Sequence, residues 1–359
     1  MTRKLQVPTI DIDEALKGNI LFIDVRSPKE FEEFHIPSSI NIPLFNNEER
    51  VDIGTTYHQM GPEEAKDRGV KILSEKLPEL HAAFKELHQN NENTELIIYC
   101  WRGGMRSYSV ASVMAMLGLP VVQLNGGIRS FRQVITSSFK AGTHDEKDFI
   151  VLEGLTGTRK TDILLELQKE GYPVIDIEGL ANHRGSVFGG IGLVPISQKE
   201  FESRLWSRLE QLKDSSYVII EAESKRIGNL ILPDFMLKGK ERAYSIFLEA
   251  PIDFRVKTIC DTYSFEAFHD EFREALFIIK KRLSSEMFSN ILTSFEKKDY
   301  PGFVSYLLTE YYDPRYKHAF KETKNNAILY ITTLPQGYDA VKQSISKILE
   351  KNTATHLYV

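Results

Sequence analysis

Residues 149–161 read FIVLEGLTGTRKT, an apolar run that passes through a glycine-containing loop into an amphipathic stretch. A strand followed by such a loop and a helix is typical of phosphate binding, because the loop amides and the helix N-terminus point at the anion. The pattern G-x-x-x-x-G-K-[ST] fits, except that Arg159 stands at the second glycine position. The phosphate-binding candidates are Gly154, Thr156, Gly157, Thr158, Arg159, Lys160 and Thr161. A plain strand-to-helix turn is the alternative.

Apolar runs recur downstream of this loop and alternate with helical stretches. The predicted strands are 149–153, 173–177, 217–222, 244–248 and 327–332. This alternation predicts a five-stranded parallel sheet covered by helices. A long helical insert is predicted at about 265–312, before the last strand. We therefore assign residues 148–359 to an α/β domain that contains the phosphate loop and resembles P-loop NTPases.

A separate α/β series precedes that domain. Its predicted strands are 20–25, 40–43, 95–99 and 121–124, and its helical stretches are 28–34, 63–89 and 107–117. After Phe131 the apolar pattern weakens into a polar stretch, which predicts a linker near 136–147. Residues 1–138 are the predicted first domain, and a length of 359 residues suits two domains.

Composition restricts the class of protein. Hydrophobic residues make up 42% and charged residues 26%, values of ordinary folded chains rather than disordered or collagen-like ones. We expect a cytoplasmic protein, because the first residues lack the apolar core of a signal peptide and no later run could span a membrane. With only Cys100 and Cys260, a structural disulfide is not expected. A net charge of −5 means that any nucleic acid must bind to a local basic patch.

The sequence IIYCWRGGMRS at 97–107 predicts a second strand, loop and helix. Cys100 ends the strand, and the loop amides, helix dipole and neighbouring arginines should favour its thiolate as a nucleophile. The loop candidates are Trp101, Arg102, Gly103, Gly104, Met105 and Arg106. The alternative is a buried structural cysteine at a strand end, but WRGGMR is a poor core sequence.

Two polar segments of the second domain are candidates for substrate binding. The stretch DIEGLANHRGSVFGGIG at 176–192 follows a strand and concentrates polar side chains among glycines, which is typical of a loop that binds an anion or RNA. Acidic residues at the end of strand 217–222 suit magnesium or a water molecule. The candidates are Asn182, His183, Arg184, Gly185, Glu221, Glu223 and Arg226. A packed histidine and a solvated strand end are the alternatives.

Basic and aromatic residues near the insert are candidates for RNA binding. Aromatic rings can stack on unpaired bases while cations hold phosphates, as in LLTEYYDPRYKH at 307–318. The candidates are Lys280, Lys281, Arg282, Tyr312, Arg315 and Lys317. Tyrosines that pack a helix end into the domain are the alternative.

Three segments of the first domain resemble the signature blocks of rhodanese domains. They are IDVRSPKEFEEFHIPSSINIPL (23–44), CWRGGMRS (100–107) and LNGGIRSFR (124–132). The resemblance implies that Cys100 is the persulfide-forming cysteine, that Arg106 closes the loop, and that Asp24 and Arg26 organise the neighbouring structure. The segment 49–69 is an insertion that ordinary single-domain rhodaneses lack.

The chain has a rhodanese-like domain followed by a P-loop domain and carries the blocks ERVDIGTTYHQMG, GLTGTRKT, DIEGLANHRGS, EAESKRIG and YYDPRYKH in that order. It resembles the bacterial tRNA 2-selenouridine synthase family over nearly its whole length. The resemblance implies that 2-thiouridine at the tRNA wobble position is S-geranylated with geranyl diphosphate and then converted to 2-selenouridine with selenophosphate. It implies no tightly bound cofactor. Selenophosphate synthase is a candidate partner, no metal-ligand set is assigned, and magnesium is left open.

Two other functions remain open on the residues alone. One is a sulfurtransferase that moves persulfide sulfur from Cys100, with a nucleotide-dependent second domain. The other is a non-catalytic RNA-binding module with a vestigial phosphate loop. Turnover of thiosulfate and cyanide without an effect on thiolated tRNA would favour the first, and tRNA binding without a product would favour the second.

Overall fold

The computed structural model describes residues 7–142, 146–315 and 326–356. The chain divides into two compact units. The first unit comprises Met1–Ala141 and Ser197–Ser207, and the second unit comprises Gly142–Ile196 and Arg208–Val359. The predicted second domain, 148–359, is thus interrupted by a short segment that packs with the first unit.

The first unit is a five-stranded parallel sheet with helices on both faces. Its elements are β1 (Thr9–Ile10), α1 (Ile12–Ala15), β2 (Ile20–Asp24), α2 (Pro28–Glu33), β3 (Ile40–Asn41), α3 (Asn47–Gln59), α4 (Pro62–Asn90), β4 (Glu95–Tyr99), α5 (Met105–Met116), β5 (Val121–Leu124) and α6 (Ile128–Lys140). The strand order is β1-β5-β4-β2-β3, which confirms the α/β class and adds β1 to the four predicted strands. Two buried apolar clusters lie against the sheet.

Two helices of this unit differ from the prediction. The sequence pattern does not predict helix α3, because its apolar residues do not follow a helical period and most of its side chains are exposed. A capping box between Asn46 and Glu49 starts it instead: the amide of Glu49 donates to the Asn46 side chain at 2.8 Å. Helix α6 runs to Lys140, beyond the predicted weakening, because Phe131 and Ile135 both face the core.

The segment 197–207 joins the first unit through specific contacts. The Trp206 ring lies edge-on against Phe131 with a centroid distance of 5.3 Å. The Ser197 hydroxyl donates to the Glu33 carbonyl oxygen at 2.6 Å. Sequence periodicity cannot reveal such contacts, since they join residues far apart in the chain.

The second unit is also built on a five-stranded parallel sheet, as predicted. Its strand order is β12-β11-β6-β8-β7. Its first elements are β6 (Asp148–Gly154), α7 (Lys160–Lys169), β7 (Val174–Ile175), α8 (Ile177–Ala181), the last turn of α9 (Gln198–Gln211), β8 (Tyr217–Glu221), β9 (Arg226–Ile227), β10 (Leu230–Ile231), α10 (Asp234–Glu241), β11 (Tyr244–Glu249) and α11 (Ile252–Thr262). The part of α9 before Arg208 belongs to the first unit. They are followed by α12 (His269–Ile279), a 3-10 turn (Lys280–Arg282), α13 (Ser285–Glu296), α14 (Tyr300–Tyr306), a π-helical turn (Leu307–Tyr312), β12 (Asn326–Tyr330) and α15 (Leu334–His356). Strand β6 lies in the centre, with Leu152 opposite Glu221 of β8 and Gly154 opposite Leu248 of β11. The carboxyl ends of these parallel strands therefore meet at one edge of the sheet.

The elements from α12 to the π-helical turn form the predicted helical insert, with a core of its own that is rich in phenylalanine. The Phe265 ring lies 4.7 Å from that of Phe272, and Phe295 lies 4.9 Å from Phe303. Among the described helices, none is both long enough and apolar enough to cross a membrane. Cys100 and Cys260 are free thiols in separate units.

Candidate functional site

The first candidate site is the thiol loop, residues 100–106, between β4 and α5. Cys100 is only 3% exposed, and its Sγ lies 3.2 Å from the Ser107 hydroxyl oxygen and 4.0 Å from the Gly104 carbonyl oxygen. The Gln123 side-chain amide donates to the Gly103 carbonyl oxygen at 2.8 Å and to the Ser107 hydroxyl at 2.9 Å. These bonds hold the loop in a fixed shape around the sulfur.

The loop rests on the backbone that follows β5. A Cβ at Gly127 would lie 2.3 Å from the Cys100 carbonyl oxygen and 2.5 Å from the Gly103 nitrogen, and Gly127 has φ +58°. The amide of Ile128 donates to that Cys100 carbonyl oxygen at 2.9 Å. Only glycine permits this close approach, which explains the LNGGIRSFR block.

The amides of the thiol loop are available to a ligand. Within the described part of the chain, none of the backbone N–H groups of residues 101–106 donates to a protein acceptor. They lie at the N-terminus of α5, where the helix dipole also favours negative charge. An anion such as a phosphate ester suits this position next to Cys100.

Charged residues of the first unit support the loop. The Arg106 guanidinium donates to the Glu30 carboxylate at 2.6 Å. Burial alone would raise the pKa of Glu30, but the hydrogen bond and charge of Arg106 lower it below its usual value. Arg26 and Asp24 form a fully buried ion pair, and Arg26 also donates to the Phe34 carbonyl oxygen at 2.6 Å. Trp101, Arg102 and Met105 are exposed at the loop surface.

The second candidate site is the phosphate loop, residues 154–161, between β6 and α7. Lys160 Nζ donates to the carbonyl oxygens of Gly154 and Leu155, each at 3.1 Å. Burial lowers the pKa of Lys160, and neighbouring carboxylates oppose that shift. Buried Thr158 donates its hydroxyl to the Leu155 carbonyl oxygen at 2.8 Å. In the described structure, none of the N–H groups of residues 156–161 has a protein acceptor, so they are available to an anion.

Arg159 takes the backbone conformation that the glycine of the motif normally provides. Its φ is +59°, in the left-handed region, which costs a non-glycine residue roughly 1–2 kcal/mol. The guanidinium lies 3.5 Å from the carboxylates of Asp162 and Asp261. The loop therefore keeps the backbone of the motif despite the substitution.

Three carboxylates, the acidic trio of Glu178, Glu221 and Glu223, face the end of this loop. Each offers an oxygen within 4.8 Å of the others. The Thr161 hydroxyl donates to Glu178 at 3.4 Å, and the Glu178 amide donates to the Glu221 carboxylate at 2.9 Å. Burial, together with the charge of Glu223, raises the pKa of Glu178 to about 8, and burial raises the pKa of Glu221 well above its usual value. Oxygen ligands of this kind fit a hard divalent cation.

The loop after α8 closes over the trio. A Cβ at Gly185, where φ is +70°, would lie 2.6 Å from carboxylate oxygens of both Glu178 and Glu223. His183 Nδ1 accepts from the Gly185 amide at 3.1 Å, and burial lowers the pKa of His183. Asn182 donates its side-chain amide to the Val194 carbonyl oxygen at 2.8 Å. These hydrogen bonds show that His183 and Asn182 shape the loop.

Arg184 from the same loop lines the cavity in front of the phosphate loop. Its guanidinium lies 5.1 Å from the centre of the Tyr263 ring and donates to the Ile191 carbonyl oxygen at 3.1 Å. Arg226, by contrast, is exposed on the short β9–β10 hairpin.

That cavity has a volume of about 610 Å³ and also faces the acidic trio. A smaller apolar pocket of about 50 Å³ adjoins it. The two share Thr156, Ser186, Ile259 and Tyr263 as lining residues. The apolar pocket is otherwise lined by Phe188, Phe265, Phe272, Phe303, Val304, Leu307, Leu308 and Tyr312. The cavity in front of the phosphate loop is therefore continuous with a pocket lined by core residues of the helical insert.

The RNA-binding candidates are divided between surface and interior. Lys280, Lys281 and Arg282 are exposed on the 3-10 turn. Tyr312 is half-buried and lines the apolar pocket. The Arg315 guanidinium lies 3.7 Å from the centre of the buried Tyr311 ring. Lys317 lies outside the described residues.

Sequence reasoning missed Glu178, Tyr263 and Arg255 at this site. Glu178 had a detectable signal, since it follows a predicted strand of the same parallel sheet as Glu221. Arg255 is 3% exposed and donates to the Thr156 carbonyl oxygen of the phosphate loop at 2.8 Å. Nothing local in the sequence marks Arg255 or Tyr263, because their partners come from distant segments.

Both units of the chain match known protein families. A family model for the tRNA 2-selenouridine synthase AAA domain matches residues 147–348, and a rhodanese-like domain model matches residues 11–134. The chain is 31% identical to a tRNA 2-selenouridine synthase of Sulfurovum sp. (strain NBC37-1), covering 89% of this chain and 93% of the relative. It is also 31% identical to a tRNA 2-selenouridine synthase of Hydrogenovibrio crunogenus (strain DSM 25203 / XCL-2), covering 94% and 98%. A tRNA 2-selenouridine synthase of Nitrosomonas europaea (strain ATCC 19718) is 34% identical over 71% of this chain and 67% of the relative.

Proposed function

Because this chain belongs to the tRNA 2-selenouridine synthase family, we propose that it converts 2-thiouridine at the wobble position of tRNA to 2-selenouridine. The conversion takes two steps, S-geranylation with geranyl diphosphate and then replacement of the geranylthio group with selenium from selenophosphate. We assign the first step to the second unit and the second step to the thiol loop.

The observation that carries the first assignment is the junction between phosphate loop and apolar pocket. Free loop amides and Lys160 suit a diphosphate, and the aromatic lining of the adjoining pocket suits the end of a hydrocarbon chain whose other carbons lie in the larger cavity. Geranyl diphosphate combines these two chemistries in one molecule. A nucleotide base and ribose would not use the apolar pocket in this way, which favours a prenyl diphosphate over ATP.

In this step the thiocarbonyl sulfur attacks C1 of the geranyl group. The C–S bond forms, the C–O bond to diphosphate breaks, and the nucleoside loses its N3 proton, so that S-geranyl nucleoside and diphosphate result. Lys160 and the loop amides stabilise the charge that accumulates on the departing diphosphate. Arg159 is close enough to the loop to add a contact if it leaves Asp162 and Asp261.

A magnesium ion fits the residues beside this loop. Thr161 and the acidic trio would hold it, since they offer a hydroxyl together with carboxylate oxygens that lie within 4.8 Å of one another. When bound, the ion would supply positive charge to the diphosphate. Burial first, and then the charge of neighbouring carboxylates, raises the pKa of Glu178 and Glu221, and a bound cation would lower both pKa values.

The second step requires a selenium nucleophile at C2 of the pyrimidine. Selenium of selenophosphate attacks C2, the C2–S bond breaks, and geranylthiol leaves with a proton. Water then cleaves the P–Se bond to give 2-selenouridine and phosphate. The thiol-loop amides suit the phosphate group of the donor. Cys100, in contact with Ser107, gives the departing geranylthiolate its proton and recovers one from the water that cleaves the P–Se bond.

Transfer RNA is the macromolecular substrate in this proposal, and selenophosphate synthase is the source of the selenium donor. With a net charge of −5 for the whole chain, tRNA must bind to a local basic surface such as the 3-10 turn.

Mass spectrometry of nucleosides tests the proposal. Thiolated tRNA is incubated with the protein, geranyl diphosphate, selenophosphate and magnesium, digested, and analysed for S-geranyl-2-thiouridine and 2-selenouridine. Both nucleosides are expected, the first before the second. Thiosulfate–cyanide turnover with unchanged tRNA would instead indicate a sulfurtransferase, and tRNA binding without either nucleoside would indicate a binding module.

A further inference from the structure

An apolar groove lies beside the thiol loop in the first unit, and the proposed steps do not yet use it. It has a volume of about 220 Å³ and runs between α3, α4 and the first turn of α5. Its lining residues are Leu44, Phe45, Ile53, Tyr57, Pro62, Ala65, Lys66, Gly69, Val70, Leu73, Met105, Arg106 and Ser109. We name it the thiol-side groove.

The groove adjoins the reactive sulfur through the chain itself. Met105 and Arg106 line the groove and also end the thiol loop. The residue before them, Gly104, has its carbonyl oxygen 4.0 Å from Cys100 Sγ. A ligand in the groove would therefore lie next to the loop at which a nucleoside must react.

The groove leaves apolar side chains in contact with water. Tyr57 is 56% exposed, Val70 is 64% exposed and Met105 is 59% exposed. These side chains line one concave, mostly apolar groove, and small apolar ligands bind in sites of that kind. Much of its wall comes from the insertion 49–69, which an ordinary rhodanese-like domain lacks.

The size of the groove selects a short hydrocarbon. An apolar cavity of about 150 Å³ holds benzene, or about 25 Å³ for each carbon atom. On that scale 220 Å³ accommodates about nine carbons. The ten-carbon chain of a geranyl group is of that size, whereas a protein side chain or a tRNA base would not match both the length and the apolar lining.

We propose that the thiol-side groove binds the geranyl chain of the S-geranylated nucleoside during selenium transfer. This inference rests on the proposed function, in which the C2–Se bond forms as the C2–S bond breaks and geranylthiol leaves with a proton. The groove would hold the chain before that step and the geranylthiol after it. It thereby selects the geranylated nucleoside over the unmodified thiouridine.

Two tRNA substrates that differ only in the S-alkyl group test the groove. Thiolated tRNA is either geranylated beforehand or methylated chemically at sulfur, and conversion to 2-selenouridine is measured with selenophosphate. The wild-type protein is expected to prefer the S-geranyl substrate in kcat/KM by at least about tenfold, since a single methylene in an apolar site can give that factor.

A matched pair of variants tests whether the preference for S-geranyl tRNA comes from the groove. Val70→Glu places a carboxylate in the groove, whereas Val51→Glu makes the same change at a valine that is 68% exposed on α3 and does not line it. Val70→Glu should remove the preference for the geranyl chain through KM, and Val51→Glu should retain it. If Val70→Glu fails to fold, Val70→Ala and Val70→Ile replace it. Val70→Ala should lose part of the preference for the S-geranyl substrate, and Val70→Ile should lose none. Geranylation by the phosphate loop should be unchanged in all of them.

The outcomes separate the inference from the function on which it rests. No conversion of S-geranyl tRNA by wild type would refute the proposed function. If Val70→Glu and Val70→Ala both fold and still prefer S-geranyl tRNA over S-methyl tRNA, the role of the groove is refuted while the proposed function stands.

Discussion

Arg255 and Asp313 form a bidentate ion pair in the second unit. The Arg255 guanidinium donates to both carboxylate oxygens of Asp313, at 2.9 and 2.5 Å, and its Nε donates to the Thr156 carbonyl oxygen at 2.8 Å. One side chain thus fixes the phosphate loop and the end of the helical insert together. Thr156 and the π-helical turn also line the apolar pocket. This ion pair therefore fixes the position of the pocket relative to the phosphate loop.

Asp313→Asn should therefore impair both stability and the first step. Removing one charge from a buried pair costs about 3–5 kcal/mol, since the other charge is left uncompensated. We expect a lower thermal unfolding temperature and a raised KM for geranyl diphosphate. The control is Glu296→Gln, which breaks the exposed pair with Arg273 and should cost less than about 1 kcal/mol. An unchanged KM in Asp313→Asn would contradict the role in shaping the pocket.

Cys100→Ser and Lys160→Ala should have opposite effects on the two steps. Serine keeps the size of the thiol but is almost fully protonated at neutral pH, so selenium transfer should be lost while geranylation survives. S-geranyl tRNA should then accumulate, as chromatography of nucleosides would detect. Lys160→Ala removes a cation beside the diphosphate and should reduce geranylation by at least about tenfold, yet still convert tRNA geranylated beforehand. Loss of geranylation in Cys100→Ser would overturn this assignment of steps.

Arg159→Gly tests whether this side chain has been recruited for the diphosphate. Glycine relieves a left-handed conformation worth roughly 1–2 kcal/mol but adds unfolded-chain entropy, so stability should change by less than about 1 kcal/mol. We expect about tenfold weaker geranyl diphosphate binding, as for the loss of one charged hydrogen bond, and tighter nucleotide binding in calorimetry. Arg159→Lys, which keeps the charge, is the control. No change in either affinity would mean that Arg159 only pairs with Asp162 and Asp261.

The pH dependence of stability should report on Glu178. Its pKa is raised from 4.5 to about 8 on folding, so the folded state favours the protonated carboxyl. This contribution to stability is fully present below about pH 4.5 and is lost as the pH rises through about 8. Without divalent cations the unfolding temperature should fall between about pH 5 and 9, and magnesium should restore it most at the alkaline end. Glu178→Gln should flatten the curve; an equal slope in that variant would place the effect elsewhere.

Charge reversal on the 3-10 turn tests the RNA surface. Lys280, Lys281 and Arg282 changed to glutamate should weaken tRNA binding and make it less dependent on salt, because fewer phosphates are neutralised. The logarithmic salt slope should fall by up to about 0.9 for each phosphate that the protein no longer neutralises. Filter binding over a range of salt concentrations measures both. Lys297→Glu with Lys298→Glu, exposed on the same insert, is the control. Unchanged affinity and slope would remove this turn from the tRNA surface.

The sequence by itself determined the sheet frameworks and the two loops. It predicts strands β4 and β5 at their observed bounds, because runs of consecutive apolar residues bounded by polar ones are typical of buried strands in a parallel sheet. The thiol and phosphate loops are equally visible, since each is a local motif whose glycines, cations and nucleophile lie within a few residues. Local information suffices where the interacting groups are neighbours in the chain.

Only the tertiary structure decided what surrounds those loops. Glu178 joins Glu221 because β7 and β8 are adjacent and parallel, although 43 residues separate the two carboxylates. Arg255 reaches the phosphate loop from 99 residues away, and Tyr312 faces an apolar pocket where its sequence context predicts an RNA-stacking surface. The thiol-side groove required α3, whose exposed side chains give no periodic signal. Such arrangements depend on long-range packing, which a sequence pattern of period two or 3.6 does not encode.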